Sequence, residues 1–341
     1  MNAILFLAHT DGQGALPKSA LETLTAAREM ADATGAQLHV GLFGAEVAEA
    51  ANAVAGCGAA KFFGASDAAL QMPRYTSDAA AAEAICKASG AELVLAPATS
   101  RVSRFLPGVA HRLGGAADTY CTAISVDDGA PVVTRWYYRQ RMKAIVTREQ
   151  KPWLVSIGGG CYAPYEGASG SAALEAVSLD LPASKTEAKT TEAPSSDTQT
   201  IRPESEILFV AGAGWTKKQA GETRVNEAES LILGFLDKTQ SSLGSSKSLV
   251  DLSGEGQAVL NFLTHLHQVG QTGSTPRHPK GLATCCHGEE PHVVGWRFVN
   301  ERRAINLDPG CGWAQGKADV LYVADAFEVM KELNKILAAE A

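Results

Sequence analysis

The run His267-Gln268-Val269-Gly270-Gln271-Thr272-Gly273 packs two glycines and several side-chain donors into one short loop. Gly270 and Gly273 tolerate backbone angles that other residues avoid, so the loop can turn its amides toward an acceptor. Gln271 and Thr272 add side-chain donors between them. Further on, Gly288 follows His287 beside an expected helix start, where an amide-rich N-terminus favours negative charge. Asn306 and Asp308, at an expected strand end, supply the donors and acceptors that a ribose needs. Each piece alone is also an ordinary turn of an α/β domain. In this order they point to a site for an anionic dinucleotide.

A second glycine pair, Gly212 and Gly214, follows the apolar run Ile207-Leu208-Phe209-Val210-Ala211. The third glycine of a full dinucleotide fingerprint is missing, because Lys217 stands in its place. Cys285-Cys286-His287, with His278 and His292 nearby, raises the alternative of a metal site. Adjacent cysteines on a strand point to opposite faces, however, and do not converge on one ion. Small buried hydrophobes are the expected role for both, with no metal. The seven cysteines are odd in number and scattered, which is no disulfide framework.

The elements that must hold these loops are legible in the periodicity. Ala3 to Ala8, Leu38 to Phe43 and Leu93 to Ala96 read as buried strands. Leu21, Leu24, Ala27 and Ala31 share one face of a helix over residues 18–34, and another helix is expected over Thr76 to Ser89. Alternation of this kind predicts a parallel sheet covered by helices. Val132 to Arg135 and Met142 to Thr147, separated by a polar turn, read as antiparallel additions. Val225, Ala228, Leu231, Ile232, Phe235 and Leu236 recur at helical spacing in the second half. Between residues 181 and 204 the composition offers almost nothing to a core, so this stretch is expected to be a linker. The division expected is therefore 1–180, linker 181–204 and 205–341, a comfortable length for two domains at 341 residues.

Composition is that of an ordinary globular protein, 45% hydrophobic and 20% charged. A net charge of −7 argues against an extended nucleic-acid surface. No apolar run approaches the roughly 20 residues that span a bilayer. Met1-Asn2 leads straight into an apolar strand without a basic leader, which gives a cytoplasmic expectation. Arg101, Arg104, Arg135, Arg139 and Arg141 are read as a solvated rim or a subunit contact, with a cationic patch as the alternative.

The ordered motifs V-G-Q-T-G, Ala304-Ile305-Asn306-Leu307-Asp308-Pro309 and Ala318-Asp319 resemble the flavin-binding half of the electron-transfer flavoprotein alpha subunit (the FixB family). The first half resembles it more loosely. Phe105-Leu106-Pro107-Gly108-Val109-Ala110 is similar to its L-P-R-V-A, with Gly108 for the arginine, and Lys151 to Ile157 stand where its first domain has its last strand. Gly244-Ser245-Ser246-Lys247-Ser248-Leu249-Val250-Asp251 resembles G-A-S-R-x-x-V-D, with Lys247 in place of the arginine over the flavin ring. Lysine is a mobile point charge, whereas arginine stacks as a plane and forks its hydrogen bonds. Ala213 replaces the arginine of the family's G-R-G, so the charge there must come from elsewhere, with Lys217 or Lys218 as candidates. Between Asp251 and Gln268 the chain is longer than the family pattern.

The resemblance implies an α/β fold of two domains, each a mostly parallel sheet flanked by helices, the second a Rossmann-like (DHS-like) FAD-binding domain. It implies an electron carrier rather than an enzyme, and a heterodimer with a beta subunit that carries AMP. Electrons would arrive from a flavin-dependent dehydrogenase and leave for a membrane-associated oxidoreductase. FAD would be held by Gly212, Gly214, Ser246, Lys247, Gln268, Val269, Gly270, Gln271, Thr272, Gly273, His287, Gly288 and His292. Asn306, Asp308, Asp319 and Asp325 would lie along the ribose and adenine. Thr272 would face the ring nitrogen that is reduced, and His292 the carbonyl end of the ring. A non-redox adenine-nucleotide-binding protein and a stand-alone flavin enzyme are the other readings.

Overall fold

The computed structural model describes residues 1–137, 142–187, 201–202, 205–217, 222–251, 258–270, 275–284, 299–309 and 318–340. They fall into two compact units, Met1–Glu192 and Ala193–Ala341.

The first unit is built on β1 (Ala3–His9), β2 (Gln37–Gly44), β3 (Lys61–Ser66), β4 (Leu93–Pro97), β5 (Ala116–Asp127), β6 (Ala130–Tyr137), β7 (Met142–Val146), β8 (Trp153–Ile157) and β9 (Leu174–Ala176). They form one sheet in the order β7-β6-β5-β8-β4-β1-β2-β3-β9. Pairing is parallel from β5 to β9 across the sheet, and β6 and β7 add on antiparallel. The helices are α1 (Lys18–Thr34), α2 (Ala48–Ala53), α3 (Tyr75–Ser89) and α4 (Ser100–Arg112). Ile4, Phe6 and Ala8 pack on one face with α1, while Leu5 and Leu7 pack on the other with α3 and α4. Both faces are covered, which is why the central strands read as unbroken apolar runs.

Three features depart from the sequence reading. The strand at Trp153–Ile157 is followed by one more, β9, which crosses to the far edge and pairs with β3. A Cβ at Gly64 would meet the Leu174 side chain at 2.6 Å, so glycine is what lets β9 dock there. Arg101 is not on a rim. It is 7% exposed and grips the fully buried Asp78 through Nε at 3.0 Å and Nη2 at 2.6 Å. Arg135 joins Arg148 and the Trp153 indole on the buried carboxylate of Asp118. Arg139 and Arg141 lie outside the described residues.

In the second unit β10 (Ile207–Ala211), β11 (Ser242–Ser245), β12 (His278–Thr284), β13 (Val299–Asn306) and β14 (Val320–Val323) form a wholly parallel sheet ordered β11-β10-β12-β13-β14. α5 (Val225–Thr239) and α7 (Ala326–Glu340) share one face, where Ile232, Phe235, Phe327 and Met330 meet Phe209 and Leu243. A short helix, α6 (Lys247–Asp251), follows β11. Cys57, Cys86, Cys121 and Cys161 are free thiols, and burial pushes Cys86 and Cys121 up to about 12. Cys285, Cys286 and Cys311 lie outside the described residues. Among the described residues no helix is long and apolar enough to cross a membrane.

Candidate functional site

Because every strand of the second sheet runs the same way, all five carboxyl ends open on one edge. The chain starts at β10, places β11 on one side and β12 on the other, so the order reverses between β10 and β12. In open α/β sheets the crevice at such a reversal is where ligands bind. The residues singled out in the sequence collect here: Gly212 and Gly214 after β10, Ser246 and Lys247 after β11, Asn306 and Asp308 at the end of β13, and Asp325 after β14.

The turn after β10 is anchored from within. Gly212 donates its amide to the Thr284 carbonyl at 2.9 Å. Ala213–Trp215 form one 3-10 turn, and Trp215, wholly buried, donates Nε1–H to the Thr284 hydroxyl at 2.9 Å. That hydroxyl donates onward to the Val210 carbonyl at 3.1 Å. The two strands that flank the reversal are thereby tied together at their ends. Ala213 is fully buried, and Lys217 is exposed just past the turn. Lys218 lies outside the described residues.

After β11, Ser246 donates its amide to the Ala211 carbonyl at 2.8 Å, and its hydroxyl accepts the Leu249 amide at 3.2 Å, which starts α6. Lys247 is the first residue of that helix and its side chain is 56% exposed. Ser245 is fully buried, and its hydroxyl has no hydrogen-bond partner among the described residues. Lys247 thus brings a cationic group to this strand end, 3.7 Å from the Asp251 carboxylate.

The loop beginning at Gln268 is threaded along the same edge. Gln268 pairs with Ser245, and Val269 donates to the Ser245 carbonyl at 3.0 Å. A Cβ at Gly244 would lie 2.4 Å from Val269, so the close approach requires glycine. Gly270 has φ +84°, as expected of its position in a turn. Its amide, however, donates to the Thr275 hydroxyl at 2.7 Å and is not turned toward a ligand. Gln271, Thr272, Gly273, His287, Gly288, Pro291 and His292 lie outside the described residues.

Asn306 is fully buried and donates Nδ2–H to the Asp308 carbonyl at 3.1 Å, shaping the turn after β13. Asp325 accepts the Phe327 amide at 2.8 Å and so caps α7, and its other oxygen lies 3.8 Å from Arg224. Asp319 is misplaced in the sequence reading. It precedes β14, at the amino end of that strand, where it forks onto Arg302 through Nη2 at 2.7 Å and Nε at 3.2 Å. His278 is likewise at the amino end of β12, buried and bonded to Ser242 and the Arg202 and Pro276 carbonyls. No group of residues suited to a metal occurs among the described residues.

Trp215, Thr284 and Ser245 were not foreseen. A tryptophan in the turn directly after a buried strand was a usable signal, since a buried indole N–H must find an acceptor. The first sheet also reverses order, between β1 and β4. There His9 Nε2 and Thr99 Oγ1 lie 3.2 Å apart, and burial holds the imidazole below its ordinary pKa.

The model for the electron transfer flavoprotein domain matches residues 4–182, more than half of the chain. Protein FixB of Clostridium saccharobutylicum is 28% identical over 340 residues, covering 96% of this chain and 95% of the relative.

Proposed function

From the premise that this chain belongs to the electron transfer flavoprotein family, whose members carry electrons rather than catalyse, we propose that it is the FAD-binding alpha subunit of a heterodimeric carrier. The observation that carries this reading is the gathering of Gly212, Ser246, Lys247 and the Gln268–Gly270 segment at the strand-order reversal of the second sheet. FAD, when bound, supplies the redox chemistry, and the protein's part is to hold and orient it and to set its electrostatic surroundings. Lys247 places a positive charge where the family has arginine, which favours an anionic ligand. Ser246 accepts the Leu249 amide at the start of α6, whose first residue is that lysine. The Trp215–Thr284 bond adds a side-chain tie between the two central strand ends. Gln271, Thr272, His287, Gly288 and His292 complete the proposed contact set.

The partner proposed is a beta subunit holding AMP, with a flavin-dependent dehydrogenase as electron donor and a membrane-associated oxidoreductase as acceptor, all reached from the cytoplasm. The test is the visible spectrum of the chain co-expressed with its beta subunit, before and after stepwise reduction. A yellow complex that bleaches on reduction and recovers in air is expected. A colourless complex that takes up no added FAD would overturn the reading, and would leave the non-redox nucleotide-binding alternative.

A further inference from the structure

The solvent side of α4 carries Arg104, His111 and Arg112, and the helix from Ser100 to Arg112 contains no acidic residue. Arg74 stands beside it at the start of α3, followed by Tyr75, which is 39% exposed. Among the described residues neither Arg74 nor Arg104 is in an ion pair. Each bonds a backbone carbonyl instead, Arg74 through Nη2 to Thr186 at 3.3 Å and Arg104 through Nη1 to Pro73 at 2.9 Å. Arg112 shares the Glu83 carboxylate with Lys87 of α3. Lys185 and Glu187, on either side of Thr186 in the chain, offset one another. Positive charge is therefore in excess on this face, in a chain whose net charge is −7.

The arginines also shape the surface that they charge. Arg104 ties the turn before α3 to α4, and Arg74 ties the same turn to the segment around Thr186. A Cβ at Gly108 would run into the Tyr75 hydroxyl, so glycine is what lets that ring lie against α4. The Arg112 guanidinium stands over the ring, 5.5 Å from its centre. An exposed aromatic ring is thus held between Gly108 and Arg112, with Arg74 directly before it in the chain.

We propose that Arg74, Tyr75, Arg104 and Arg112 form a docking surface for an acidic face of a partner protein. Arginine and tyrosine are the residue types that concentrate at protein interfaces and dominate their energetics, whereas lysine is depleted there. A guanidinium meets a carboxylate through two parallel bonds, which gives orientation as well as attraction. Excess charge on a pinned surface also steers a partner of opposite sign during encounter. The surface belongs wholly to the first unit, so this inference does not depend on the cofactor proposed for the second.

The test is the binding of a short fluorescein-labelled glutamate-rich peptide to the full chain, read by fluorescence anisotropy beside a glutamine-rich peptide of equal length. Tighter binding of the acidic peptide is expected, weakening as salt rises from about 0.02 M to about 0.3 M. Arg74→Gln with Arg104→Gln is expected to weaken it about three- to tenfold. Arg74→Lys with Arg104→Lys keeps the charge and loses the forked geometry, and is expected to weaken it about twofold. Lys335→Gln, on the exposed side of α7, should leave it unchanged. Equal binding of the two peptides, or an acidic-peptide affinity unmoved by the double glutamine variant, would overturn the proposal. So would binding to phosphatidylserine vesicles that needs both arginines while the acidic peptide fails to bind, since that outcome assigns the face to a lipid surface. Thermal unfolding of each variant separates a lost contact from lost folding.

Discussion

Trp215 and Thr284, 69 residues apart, share a buried hydrogen bond of 2.9 Å from the indole Nε1 to the threonine hydroxyl. It ties the turn after β10 to the last residue of β12, and Phe327 packs against the indole with ring centres 4.5 Å apart. The bond joins the carboxyl ends of the two strands that flank the order reversal.

Trp215→Phe keeps the ring packing and loses the bond, which is expected to cost about 1 kcal/mol. Thr284→Val is expected to cost about 2 kcal/mol, because it leaves the buried indole N–H without its acceptor and removes the second bond to the Val210 carbonyl. In the double variant the losses should fall short of additive by about 1 kcal/mol. Urea denaturation of the four proteins measures this, and strict additivity would show that the bond contributes nothing.

Arg101 and Asp78 should behave as an internal strut. Removing one partner leaves the other charge buried, so Arg101→Met is expected to destabilise by about 3–5 kcal/mol. Arg101→Met with Asp78→Leu should recover much of that loss. A surface role for Arg101 would instead make the single variant nearly silent in thermal unfolding.

Asp118 couples acid stability to the placement of the β6–β7 pair. Burial raises its carboxyl, and hydrogen bonds from Arg148, Trp153 and Arg135 more than offset this, leaving it below its ordinary value of 3.8. A depressed carboxyl contributes stability above its unfolded value, and that contribution disappears as pH falls through the folded one. Asp118→Asn is expected to cost about 2–3 kcal/mol at neutral pH. Its deficit against the wild type should shrink below about pH 4, as followed by denaturation at stepped pH.

Glu227 gives the second unit a comparable acid dependence. Hydrogen bonds from Arg224 and then Lys331 hold its carboxyl down to about 2. Its stabilisation is full above the ordinary value of 4.5 and lost between there and about 2. Glu227→Gln should therefore lower the midpoint of α5 and α7 unfolding at neutral pH and converge with the wild type near the acid limit. Circular dichroism melts over that range decide it.

Much of the architecture was legible because burial on both faces leaves a local signature. The run Ile4 to Ala8 read as a strand, and the helix expected over 18–34 is α1 to the residue. The antiparallel additions at Val132 and Met142 were legible from alternation and an intervening polar turn. β9 was not, since the three residues Leu174-Glu175-Ala176 are too few to show a period. Within the site, motif order brought Gly212, Ser246, Lys247 and Gln268 together, while Asp319 was assigned to the wrong end of its strand by motif alone.

The sequence by itself determined the element types, the flavoprotein family and the loops that gather at one edge, because periodicity and motif order are local properties of the chain. Tertiary structure alone decided which polar groups serve the scaffold. Arg101 meets Asp78 across 23 residues, Trp153 meets Asp118 across 35, and the Gly270 amide turns inward to Thr275. A buried polar group takes whichever partner the packed fold brings within hydrogen-bond reach, and that choice has no local pattern to betray it.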